Sequence, residues 1–257
     1  MKTKNYLRLL LQQHKNITKN KEPALAKAIS NSGFCSRKEA RISIDRGQVK
    51  VNGAIIYSPC FKIKNTDLVL VNSKTINLSR PELKIWLYHK PVGLITTHKD
   101  PQMRKTVFDT LPKDFLKIIS VGRLDLNSSG LLLLTNRGDF ARFMELPKNN
   151  LQRIYKVRVF GTLNLNALKK LERGCIIAGI KYGKTIIKIL QSSKNNHWLQ
   201  IILHEGKNRE IRKLLSHINL NVTKLIRIQY GPFRLGNLKA REIKQQKNCN
   251  NINVKRH

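Results

Sequence analysis

The order of apolar and polar positions divides the chain into two patterned stretches flanked by polar ends. Leu25, Ala28 and Ile29 recur at helical spacing behind Pro23, and Gly33 ends the run. Ser36, with Glu39 three residues on, makes the reciprocal pairing that opens a helix, predicted here through Ile44. "GQVKVNGAII" alternates around Asn52-Gly53, a strong hairpin signal, and "DLVLV" supplies another strand. Residues 22–80 thus read as one compact unit of two helices and a small sheet. "RPELK" at 80–84 serves as a linker, because Pro81 interrupts regular structure.

Residues 81–243 carry short apolar or alternating runs: "KIWLYHK", "GLITTHK", "IISVGRL", "GLLLLT", "RIYKVRVFG", "IIKILQ", "HWLQIIL" and "TKLIRIQYG". Helical patterns fall between them in "FARFMEL", "NLNALKKLERG" and "REIRKLLSHI". Strands joined locally and mixed with helices predict an α+β domain on a mostly antiparallel sheet. Residues 1–21 and 244–257 are polar and basic without clear periodicity, so both are expected to be flexible tails.

Charge narrows the partner. Of 257 residues, 50 are Lys or Arg and 15 are Asp or Glu, a formal net charge of +35. Such an excess repels itself in a compact state, and a polyanion relieves it; nucleic acid is the first candidate. A membrane surface is the competitor, but no apolar run reaches spanning length and no long basic amphipathic helix stands out. Cys35, Cys60, Cys175 and Cys249 form no C-x-x-C pair, which leaves reduced thiols in a cytoplasmic protein as the simplest expectation. The first residues hold too short an apolar patch for a secretory signal, and an organellar leader is a weaker alternative to a basic arm.

Several chemistries drop out. "GIKYGKT" has three residues between Gly179 and Gly183, where the phosphate-cradling loop needs four, and it runs into a strand; a hairpin turn accounts for it. No H-E-x-x-H, zinc-deaminase or G-x-S-x-G pattern occurs. Metal-assisted and serine-based chemistry are therefore not expected.

"GRLDLNSSG" at 122–130 stands out because it sets a rare acid, Asp125, before the apolar run "LLLLT". An extended segment there places Arg123 and Asp125 on one side and Leu124 and Leu126 on the other, anchored in the core. "LNSSG" then turns the chain. Spacing alone leaves two options open: a surface Arg–Asp pair of small value, or a preorganised, partly desolvated carboxylate facing a cleft.

Two stretches resemble known families. "SGFCSRKEARISIDRGQVKVNG" is similar to the S4 RNA-binding domain, and its Arg37, Lys38 and Arg41 would hold structured RNA by its phosphates. "GRLDLNSSGLLLLTNRGDFARFM" resembles the signature of the RNA pseudouridine synthases that act on small- and large-subunit rRNA and carry an N-terminal S4 domain. "KPVGLITTHKDPQMRKTVFDTLP", "RIYKVRVFG", "LHEGKNREIRKLL" and "LIRIQYGPFRLGNLKAREI" extend that resemblance in the family's order. It implies a catalytic domain over 81–243 that isomerises uridine in ribosomal RNA, with a leaning to the large subunit.

The resemblance also implies roles. Asp125 matches the nucleophile, Tyr155 the aromatic that stacks on the target base, and Arg212 the cation that pairs with the aspartate. Arg123 matches the arginine that helps hold the extruded nucleotide, and Lys207 and Arg209 lie where phosphate contacts are expected. A monomer acting on ribosomal RNA in the cytoplasm, without membrane, metal or cofactor, is what the resemblance leads us to expect. Extruding a base costs a few kcal/mol, and an aromatic face returns about 1–3 kcal/mol by stacking. The sequence departs from the family at Glu210, where glutamine is usual, and at Met103, Arg137 and Ala240. The rival expectation is a non-catalytic rRNA-binding or assembly factor of the same fold.

Overall fold

The computed structural model describes residues 2–18, 22–79, 81–112, 115 and 117–246. The N-terminal unit holds α2 (Leu25–Asn31), α3 (Arg37–Asp45), β1 (Val49–Val51), β2 (Ala54–Ile55), β3 (Val69–Val71) and β4 (Lys74–Ile76), after a leading helix α1 (Lys2–Thr18). Its strands lie in the order β2-β1-β3-β4, every pairing antiparallel. Both local signals act as expected. Ser36 Oγ accepts the Glu39 N–H at 3.2 Å, and Glu39 Oε2 accepts the Ser36 N–H at 2.8 Å. Asn52 and Gly53 both take positive φ (50° and 89°), as the tight hairpin requires. Leu25, Ile29, Ile44, Val49, Val69 and Val71 close the core, leaving Arg37, Lys38 and Arg41 exposed on α3.

The second unit is built on a nine-stranded sheet of β5 (Ile85–Lys90), β6 (Ile119–Val121), β7 (Ser129–Thr135), β8 (Arg153–Phe160), β11 (Ile186–Ser193), β12 (Asn196–Leu203), β13 (Asn221–Tyr230), β14 (Phe233–Arg234) and β15 (Ile243–Gln245). The main order is β11-β12-β8-β13-β7-β5-β15, with β14 on β13 and β6 on β7. All pairings are antiparallel except β7 with β13. A separate hairpin joins β9 (Cys175–Ile177) and β10 (Ile180–Tyr182); of "GIKYGKT" only Gly179 lies in its turn, Ile180–Tyr182 being strand and residues 183–185 the link to β11. The helices are α4 (Gly138–Glu145), α5 (Leu165–Glu172) and α6 (Glu210–His217).

The leucine run of β7 explains the two-sided core. Leu131 and Leu133 pack with Phe140, Phe143 and Met144 of α4. Leu132 and Leu134 join the opposite cluster, which takes Leu168 from α5 and Ile211 and Leu215 from α6. A strand buried on both faces reads as a continuous apolar run, not as an alternation.

Three expectations change. The presumed N-terminal tail is helical over Lys2–Thr18. Leu7, Leu10, Leu11 and His14 fall at i, i+3, i+4 and i+7. Leu10 and Leu11 are buried against the α4 cluster, and His14 lies edge-on to Phe140 and Phe143 at 5.6 and 5.3 Å. The stripe is narrow and set among lysines, so its partner face on α4, not its own periodicity, makes it a helix. "GLITTHK" forms no strand beyond a single bridge, Ile95 to Thr106. The backbone of Ile95 bonds instead to Lys105 and Val107, closing a local loop. At the C-terminus, Ile243–Gln245 pairs with β5, so the expected tail begins inside the sheet; residues 247–257 lie outside the described residues. No helix among the described residues is long and apolar enough to cross a membrane.

Candidate active site

Asp125 lies in the connection between β6 and β7, and that loop is held at almost every residue. The carbonyls of Leu124, Asp125, Leu126, Asn127 and Ser128 each accept a hydrogen bond, from Thr96 Oγ1, Lys90 Nζ, Gly93 N–H, Arg212 Nη2 and Lys90 Nζ in turn. Distances run from 2.7 Å for Arg212 to 3.0 Å for Thr96. Gly122 N–H ties the start of the loop to Glu145 Oε1 of α4 at 2.8 Å. The backbone is thereby fixed while the Asp125 side chain stays half-exposed.

Gly130 ends the loop for a steric reason. Its φ is +102°, and a Cβ there would lie 2.3 Å from the Arg227 carbonyl oxygen. The parallel contact of β7 with β13 needs that approach. It brings Arg227 beside the loop, where Nε donates to the Leu131 carbonyl at 2.7 Å.

Lys90 is the buried charge beneath the loop. It is inaccessible to solvent and donates to the carbonyls of Pro91, Asp125 and Ser128 at 3.0, 3.0 and 2.9 Å. Burial pulls its ammonium down to about 8, and the charge of Asp125 works against that fall. The sequence reading passed over this residue. Its signal was a lysine ending "IWLYHK", a strand otherwise almost wholly apolar.

Asp125 opens into a cavity of about 590 Å³, whose lining includes Arg123, Tyr155, Lys207 and Arg209. Tyr155 comes from β8, directly across from Arg227 on β13, and is 8 % exposed. One rim is the turn from β12 into α6, which presents Lys207 and Arg209; Arg209 adopts a left-handed φ of 50° to start the helix. The floor includes Arg153, which donates to the Tyr230 hydroxyl at 2.9 Å while Tyr230 donates to the Met144 carbonyl at 2.7 Å.

Five of the expected residues, Asp125, Tyr155, Arg123, Lys207 and Arg209, therefore share one cavity. Arg212 does not line it. Among the described residues no ion pair joins Arg212 to Asp125, contrary to the expected direct pairing. Its guanidinium lies behind the loop, donating to the Asn127 carbonyl at 2.7 Å and the Val222 carbonyl at 3.1 Å. Burial and neighbouring Arg209 lower its pKa, and the field of Asp125 opposes that shift, so the two charges interact across the loop without touching. Leu124 is buried as expected, but Leu126 is 39 % exposed, because the chain turns at Leu126 and Asn127 before the strand alternation can continue. Arg37, Lys38 and Arg41 stay on the N-terminal unit and are not cavity residues.

Glu205 and Glu210 were outside the expected site and lie in the cavity wall. Glu210 is 3 % exposed, and burial and the charge of Glu205 raise its carboxyl to about 7. Glu205, which accepts from the Gly183 N–H at 2.8 Å and pairs with the Lys207 ammonium, is lowered.

Comparison with known proteins agrees with this architecture. Residues 84–217 match the model of the RNA pseudouridylate synthases, and residues 25–69 match the S4 domain. A Rickettsia felis protein named as an RNA pseudouridine synthase is 50 % identical over 224 residues, covering 87 % of this chain and 96 % of its own. A protein of Buchnera aphidicola subsp. Acyrthosiphon pisum, named ribosomal large subunit pseudouridine synthase B, is 37 % identical across 80 % of this chain and 85 % of its own. The crystal structure of a pseudouridylate synthase shares the fold, with a TM-score of 0.62 at 22 % identity over 87 % of this chain and 96 % of that one. With an S4 domain ahead of a sheet that carries a clamped aspartate loop, and with relatives along most of its length, this chain belongs to the RNA pseudouridylate synthase family, isomerases acting on RNA.

Proposed function

We propose that this chain isomerises uridine to pseudouridine in large-subunit ribosomal RNA, with Asp125 as nucleophile. The observation that carries the proposal is the Asp125 loop: its carbonyls are held on one side while its carboxylate opens, beside Tyr155, into a cavity rimmed by cations. The name of the Buchnera relative supports the choice of large-subunit RNA.

In this account the S4 unit and the cavity rim share the RNA. Arg37, Lys38 and Arg41 take phosphates, fixing register without reading bases. Lys207 and Arg209 hold the backbone around the target nucleotide, and Arg123 holds that nucleotide out of its stack. The extruded uracil lies against Tyr155, which offsets part of the unstacking cost. Asp125 then attacks the nucleoside, at C1′ or at C6 of the ring. The N1–C1′ bond breaks, C1′ joins C5, the bond to Asp125 is broken to return the carboxylate, and the proton on C5 is lost as N1 gains one, so atoms balance without an external reagent. Arg212 acts from behind, steadying Asn127 through its carbonyl, and its charge and that of Asp125 interact across the loop.

The test is a map of pseudouridines in ribosomal RNA from cells with and without this protein. The account expects at least one large-subunit site to revert to uridine in the deletion and to return on complementation. An unchanged map in both subunits would end it.

A further inference from the structure

The turn from β12 into α6 holds two carboxyl groups that the proposed reaction does not use. Glu210, buried in the cavity wall, accepts the Lys207 N–H on Oε2 at 2.9 Å. Its other oxygen, Oε1, is buried and receives no donor. Glu205 stands close enough to share a hydrogen bond with it. Both Glu205 oxygens are already acceptors, Oε1 from the Gly183 N–H and Oε2 from the Lys207 ammonium. Two ionised carboxylates there would face each other with no proton between them, and one of them, Glu210, is buried. One proton turns that repulsion into a hydrogen bond and satisfies the orphan oxygen.

We propose that Glu210 is a positioning residue held as a neutral acid, its O–H donated to Glu205, and that this shared proton fixes the turn bearing Lys207 and Arg209 for RNA binding. Burial, then the charge of Glu205, raises Glu210, while Lys207 and the Gly183 N–H outweigh burial to lower Glu205, with a smaller contribution from Glu210, so a proton on the pair rests on Glu210. The other charges around the pair do not replace the proton. Lys207 is already engaged by Glu205 and lies 5.7 Å from the Tyr182 ring on β10. Arg209 caps the start of α6 and Arg212 lies on it, with Nη1 donating to the Val222 carbonyl and Nη2 to the Asn127 carbonyl. Arg153 of β8 backs Gly206, where an added Cβ would lie 3.6 Å from its Nε. Asp125 and Glu145 line other parts of the cavity and add only negative charge. Loss of the proton therefore leaves two like charges in contact, and the turn must move to separate them.

The experiment pairs RNA affinity with a direct titration, using the full chain and a large-subunit rRNA fragment. Across a range from about pH 5.5 to pH 8.5, wild-type affinity is expected to fall about tenfold, with a smaller change in turnover of bound RNA. Glu210→Gln keeps a donor toward Glu205 and is expected to hold the wild-type low-pH affinity throughout. Carbon-13 NMR of labelled glutamate side chains should show one carboxyl titrating near neutrality in the wild type and none in Glu210→Gln. A Glu210→Gln profile that follows the wild type, or a Glu210 carboxyl titrating in the ordinary acidic range, would overturn the proposal. The affinity arm rests on the function proposed above and the NMR arm does not. Absence of RNA binding at every pH would therefore retire that function, while the titration still decides the shared proton.

Discussion

Replacing Lys90 with methionine tests whether the buried ammonium is what holds the Asp125 loop. Methionine keeps an unbranched stem and deletes donors to the carbonyls of Pro91, Asp125 and Ser128. Two effects oppose. A hydrogen bond to a charged group contributes about 1.5–3 kcal/mol, so three represent roughly 5–9 kcal/mol. Against this, the fall of the Lys90 pKa from 10.5 to about 8 corresponds to a net cost of the buried charge of about 3 kcal/mol, which methionine relieves. The net expected loss is about 2–6 kcal/mol, a large share of the stability of an ordinary domain but not all of it.

The effect on activity should be sharper. Two of the five loop carbonyls lose their anchor, and a 1 Å misplacement of a reacting group costs on the order of 100-fold. We expect kcat to fall about that much under saturating RNA, with affinity nearly unchanged because Arg123, Lys207 and Arg209 are untouched. Urea melts give the folded fraction, and single-turnover pseudouridine formation gives the rate. The pH behaviour supplies a second signature. A lysine depressed in the folded state releases its proton before the unfolded chain does, so wild-type stability should rise between about pH 8 and 10.5, and the variant should lack that rise. A folded Lys90→Met protein with wild-type turnover would refute the reasoning.

Two further outcomes are expected. Gly130→Ala should lower stability by at least about 3 kcal/mol in urea melts, since the new Cβ meets the Arg227 carbonyl at 2.3 Å on a backbone that disfavours side chains; a loss under 1 kcal/mol would mean that β7 and β13 can separate. Arg41→Gln should reduce the slope of log affinity against log salt by about 0.7–0.9, as one lost phosphate contact does, with turnover of bound RNA unchanged; an unaltered slope would remove α3 from the interface.

What could be read from the chain beforehand follows a physical division. Ser36 with Glu39, and Asn52 with Gly53, are complete signals within a few residues, and both formed as expected. The apolar run at 131–134 announced a strand buried on both faces. The gathering of Asp125, Tyr155, Lys207 and Arg209 in one cavity was legible only through family resemblance, because it joins residues more than 80 positions apart through the β6–β7 loop, β8 and the start of α6. What was missed depends on tertiary partners. The α1 helix needs the face of α4 that receives Leu10 and Leu11. The place of Arg212 is set by the Asn127 carbonyl, and the burial of Lys90 by three carbonyls brought together from two loops. Strand propensity at 93–99 lost to a loop whose hydrogen bonds close locally and whose Thr96 is spent on Leu124.

The most direct test of the account is the Asp125→Asn variant, purified and given a large-subunit rRNA fragment that the wild-type protein modifies. Asparagine keeps the size of the side chain and the loop's backbone bonds but lacks the negative oxygen. The account predicts that the variant binds this RNA about as tightly as the wild type and forms no detectable pseudouridine. Modification at a wild-type rate by the folded variant would contradict it.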